Sequence, residues 1–168
     1  QTVSRLAAVA RVARLSGDAT VVDEGVGPVP ATPIIRWLHA VDGPVDQFNQ
    51  TIVLQAPADV TEADVAVALQ AVLDRHAMLR LQVDRNDPAG SLWVPEPGSV
   101  DAKSHLHAVD ELSDDALAQA RSRLDPADGV MLSALWATDT AQLALTVHHL
   151  AVDGVSWRIL LGDLATAW

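Results

Sequence analysis

The segment that most restricts the fold of this chain lies at its C-terminal end, from residue 130 to residue 168. Residues 130–137 and 142–147 are two apolar runs of strand length joined by Thr138-Asp139-Thr140-Ala141, a pattern that predicts a hairpin. The second run ends in His148-His149, crosses Leu150-Ala151-Val152 and bends at Asp153-Gly154. Residues 155–168 then set Trp157, Leu160, Leu161, Leu164 and Trp168 on one helical face. An apolar hairpin followed at once by an amphipathic helix points to an α+β layered sandwich, in which the helix covers the sheet.

Upstream, further elements alternate in type. Thr32-Pro33 is a helix start, with Ile34, Trp37 and Leu38 as the expected buried stripe. Residues 50–55 read as a strand. Thr61 with Asp64 three positions on has capping-box spacing, ahead of an apolar face of Val65, Leu69, Val72 and Leu73. Residues 79–83 alternate as a strand, with Leu79, Leu81 and Val83 on one face and Arg80 and Gln82 on the other. Residues 91–94 are a short strand, and Ser113-Asp114-Asp115 opens a helix toward Leu124. Residues 1–15 have helical spacing, and residues 16–31, rich in Gly, Pro and acids, read as a linker. The body is expected over residues 32–168.

A net charge of -11 leaves nothing to neutralise a row of phosphates, so nucleic acid is not an expected partner. The chain has no cysteine, which removes disulfides, thiol catalysis and thiolate metal sites. No run approaches the ~20 apolar residues of a membrane span, and residues 1–15 lack the apolar core of a signal peptide. A cytoplasmic protein is the expectation.

The chemistry lies in the two histidines. Side chains alternate along a strand, so His148 and His149 should point to opposite faces, and only one can line a given cavity. Packed, structural imidazoles and one functional imidazole are both open readings. Asp153 is near enough in sequence to fix an imidazole tautomer or to pair with an arginine. Metal binding is disfavoured because adjacent strand residues diverge and no His-Glu-x-x-His spacing occurs. A hydrolase triad is disfavoured because there is no Gly-x-Ser-x-Gly elbow, and Ser156 stands where a helix cap would.

His148-His149-Leu150-Ala151-Val152-Asp153-Gly154 resembles the HHxxxDG signature of the condensation superfamily of nonribosomal peptide synthetases. Its continuation, Val155-Ser156-Trp157-Arg158-Ile159-Leu160-Leu161, is similar to the form favoured by epimerization domains. Thr32-Pro33-Ile34-Ile35-Arg36-Trp37 with Phe48-Asn49-Gln50 resembles the family's opening, again in its epimerization form. Arg75-His76-Ala77-Met78-Leu79-Arg80 resembles its RHxxLR motif, and Leu124-Asp125-Pro126 through Gly129-Val130-Met131 the segment before the core hairpin. Residues 1–15 resemble the last helix of a preceding carrier domain. Gly162 departs from the acidic residue common at that place in the family.

The resemblance implies a chloramphenicol-acetyltransferase-like two-layer sandwich lobe, one half of a two-lobe domain. It implies that His149 lines a tunnel between the lobes and acts as general base, opposite a glutamate of the second lobe. The α-proton of an aminoacyl or peptidyl thioester, carried on the phosphopantetheine of a carrier domain, would be exchanged there. No directly bound cofactor or metal is implied. His148, Asp153 and Gly154 are expected to be structural, with Asp153 held by an arginine for which Arg80 is the candidate. Trp37 and Trp157 are expected in core or lobe packing. The partners implied are an upstream peptidyl carrier domain, the C-terminal lobe and a downstream condensation domain, and a chain carrying the first lobe alone is expected to be inactive. Two other readings stand beside this one: a condensation domain forming peptide bonds, and a non-catalytic docking platform of the same fold.

Overall fold

A computed structural model describes residues 25–43, 45, 47–57, 59–84 and 91–168. The helix expected over residues 1–15 lies outside them. Two sheets organise the chain. The larger joins β2 (Asn49–Gln55), β7 (Gln142–His148), β6 (Leu132–Ala137) and β5 (Leu106–Val109) in that order, antiparallel except for the β5–β6 pair. The smaller is an antiparallel set of β1 (Gly27–Val29), β4 (Leu92–Val94) and β3 (Gln82–Val83).

Five helices accompany the sheets among the described residues: α1 (Pro33–His39), α2 (Glu62–Arg75), α3 (Ala102–His105), α4 (Asp114–Ser122) and α5 (Ser156–Ala167). Pleat alternation divides the large sheet cleanly. Leu143, Leu145 and Val147 of β7, with Leu132, Ala134 and Trp136 of β6, face the main core. Val65, Leu69, Val72 and Leu73 of α2 and Trp157, Leu160 and Leu164 of α5 complete that core. On the opposite face Leu135 and Ala144 pack with Ala120 of α4. This is a mixed α+β lobe with helices on both faces of the large sheet, so the expected two layers gain a third through α4.

The local signals behind these elements are visible. Asp64 N–H donates to Thr61 Oγ1, and the Asp64 carboxylate accepts the Thr61 backbone N–H, which completes the capping box of α2. Ser113 caps α4 through the Ala116 N–H. The turn at Thr138–Ala141 closes with Ala141 at φ 48°, so the hairpin carries a left-handed residue at its end.

Three further expectations change. Gly27–Val29, in the stretch read as linker, is the outer strand of the small sheet; Pro28 is tolerated there because an edge strand does not require every N–H. In α1 the buried residues are Ile35 and Leu38, whereas Ile34 and Trp37 are exposed, since a run apolar on nearly every side does not by itself select a face. Residues 79–83 are not one strand. Ala77–Arg80 form a 3-10 turn, and only Gln82–Val83 pair. Arg80 is the cause: its guanidinium is wholly buried and donates to the Leu73 and Asp74 carbonyls at the end of α2 and to the Pro95 carbonyl. It thereby serves acceptors that a helix terminus leaves open.

Candidate active site

The site forms where β7 ends against β2. His148 is the last residue of β7, paired with Asn49, and shares the sheet face of Thr146. Its ring is fully buried. The Leu150 N–H donates to Nδ1 at 3.2 Å, so Nε2 carries the proton and donates to the Val45 carbonyl at 3.0 Å. With both nitrogens assigned to backbone groups, His148 is a neutral clamp joining the strand end to the loop before β2.

His149 takes the other direction. Its backbone N–H donates to the Phe48 carbonyl at 2.8 Å, and its ring stacks on Phe48 with centroids 4.7 Å apart and planes 15° apart. In contrast to the fully buried His148, His149 as a residue is half-buried. Its Nε2 lies 3.0 Å from Nε2 of Gln50, and Oε1 of Gln50 accepts the Trp157 indole N–H at 2.6 Å. Gln50 stands opposite Val147 in the β2–β7 register, hence on the face that α5 covers, and Trp157 comes from the first turn of α5. The tandem histidines therefore separate into one buried clamp and one accessible ring. Trp157 is in the core as expected, but with a polar duty; Trp37 is exposed.

Asp153 controls where α5 begins. Its Oδ1 accepts the N–H groups of Val155 and Ser156 and the Ser156 hydroxyl, at 3.0, 2.7 and 2.7 Å. The Ser156 N–H, then its hydroxyl, hold the carboxyl below the ordinary aspartate value, with a small further contribution from the nearby His149. The expected arginine partner is thus replaced by a helix N-terminus, and Arg80 spends its donors at the end of α2. Gly154 is not in the left-handed region, and a Cβ there would meet none of the described atoms within 4 Å. Among the described residues no group of three or more His, Asp or Glu is arranged to hold a metal ion, and no helix is long and apolar enough to cross a membrane.

Gln50 was missed as a site residue by reading spacing alone. The signal was present: alternation in β2 sets Gln50 with Ile52 and Leu54 on the inward face, where a polar side chain needs a partner. That partner, Trp157, is 107 residues away.

A model of the condensation domain matches residues 29–168. Chondramide synthase cmdD of Chondromyces crocatus is 34% identical over 99% of this chain, which spans 4% of that protein. Nonribosomal peptide synthetase 32 of Fusarium pseudograminearum is 32% identical over 98% of the chain, which spans 2% of it. Among solved structures, the epimerization domain from the third module of tyrocidine synthetase B superposes with a TM-score of 0.69 at 25% identity, covering 84% of this chain and 34% of that one. Condensation domains share the fold at lower identity. Because the condensation-domain model covers all but the first 28 of the 168 residues, the chain belongs to the condensation-domain family.

Proposed function

We propose that this chain is the N-terminal lobe of an epimerization domain, in which His149 exchanges the α-proton of a carrier-bound aminoacyl or peptidyl thioester. The observation that carries the reading is the division of labour between the histidines: His148 has both nitrogens committed to backbone, whereas His149 is stacked, oriented and accessible. The likeness to the tyrocidine synthetase epimerization domain, at a TM-score of 0.69, supports epimerization over other activities of the family. The chemistry suits an imidazole. A thioester acidifies its α-carbon, and a base that titrates near neutrality can take that proton and return one. Removal leaves an enolate with the charge on the thioester oxygen, and return of a proton on the opposite face gives the D centre. The resemblance assigns that opposite face to a glutamate of a second lobe. The substrate arrives on phosphopantetheine, so the partner is a carrier domain.

The matched family model is that of the condensation domain, which favours peptide-bond formation as the second reading. One experiment separates the two. The two-lobe protein, given a carrier loaded with an aminoacyl thioester in deuterated water, should wash deuterium into the α-position. Dipeptide formation without wash-in moves the assignment to condensation, and binding of a tailoring enzyme with neither activity moves it to a docking platform.

A further inference from the structure

The Gln50 side chain is held from both ends by groups of known polarity. An indole N–H only donates, so the oxygen 2.6 Å from Trp157 Nε1 must be the amide oxygen of Gln50. The amide nitrogen then faces His149 Nε2 at 3.0 Å, and an amide nitrogen also only donates. His149 Nε2 must accept. A neutral imidazole that accepts at Nε2 carries its proton at Nδ1. Reversing the amide would set NH2 against the indole N–H, two donors face to face, in a spot where Trp157 is buried and its indole has no other acceptor among the described residues.

We infer that Gln50, locked by Trp157, is a positioning residue that holds neutral His149 as the Nδ1–H tautomer and keeps Nε2 unprotonated, its lone pair resting on the Gln50 amide N–H, a bond that must open when Nε2 takes a substrate proton. This rests on the proposed role of His149 and deepens it. The neighbouring His148 is held as the opposite tautomer, with Nε2–H donated to Val45, so the two rings of one motif are set in opposite senses by their own hydrogen bonds. The relay also ties the catalytic ring to the cap of α5. Asp153 fixes the first turn, the turn delivers Trp157, Trp157 orients Gln50, and Gln50 sets the imidazole.

The test is nitrogen NMR of the histidine rings in the 15N-labelled 168-residue chain at mildly alkaline pH, where imidazole is neutral, with His149→Ala to assign the signals. In the parent chain His149 should show an unprotonated Nε2 and a protonated Nδ1. Gln50→Glu should reverse this, because a carboxylate offers only acceptors and Nε2 must then donate. Trp157→Phe, which keeps a packed ring but loses the donor, should release the amide and give a tautomer mixture. A protonated Nε2 in the parent chain, or an unprotonated Nε2 in Gln50→Glu, overturns the inference. In the two-lobe protein Gln50→Leu should lower kcat for α-proton exchange with KM unchanged; an unchanged kcat overturns the positioning role. The two levels fail separately: full exchange by His149→Ala removes the catalytic reading and leaves the ring spectra standing, whereas a protonated Nε2 removes the relay and leaves the exchange standing.

Discussion

At Asp153 one carboxylate oxygen does the work of a helix start, taking two backbone N–H groups and a hydroxyl. Its folded-state pKa is lowered, foremost by the Ser156 N–H, so the sign of its pH dependence follows. The cap is fully present above the ordinary value of 3.8 and is lost as pH falls through the depressed value of the folded state. Protection of the Val155 and Ser156 amides, taken relative to their intrinsic exchange rates, should therefore persist down to that range and fall below it. Asp153→Ala should remove that protection at every pH and lower the thermal midpoint; retained protection in that variant would show that α5 starts without the cap. Gly154, by contrast, has open space around it, and Gly154→Ala should leave the thermal midpoint unchanged.

Among the elements, α5 carries an avoidable weakness. Gly162 is exposed in its interior, with room for a Cβ, so Gly162→Ala should stabilise the chain by about 1 kcal/mol, read as an increase in the denaturation midpoint. At the end of α2 the opposite holds. Arg80→Met should cost about 1–3 kcal/mol, because carbonyls buried beside the guanidinium lose their donor. These two sites also mark what was legible beforehand. The Thr61 capping box and the 138–141 turn are local patterns, readable within a few residues, and the structure has them where spacing put them; of the expected face of α5, Trp157, Leu160 and Leu164 are buried, whereas Trp168 lies beyond the helix and is exposed. Alternation likewise sends His148 and His149 apart. The strand expected over residues 79–83 failed because Arg80 bonds carbonyls of the preceding helix, a demand that alternation does not encode. Gln50 escaped notice because its two partners lie 99 and 107 residues away.

At the scale of the molecule, the lobe presents the His149 ring without surrounding it. Phe48, Val155 and Ile159, all near the motif in sequence or contact, are exposed, as are Ile34 and Trp37. The chain spans about a third of the epimerization domain it resembles, 34% of that chain. The expected outcome is that the 168-residue chain alone exchanges no α-proton, whereas the two-lobe protein does; exchange by the chain alone would mean that one lobe completes the site. The most direct measurement compares His149→Ala with the parent two-lobe protein, following deuterium incorporation at the α-carbon of a carrier-loaded thioester and the thermal midpoint together. The account predicts that incorporation is abolished while the midpoint is retained. An unchanged incorporation rate would contradict it.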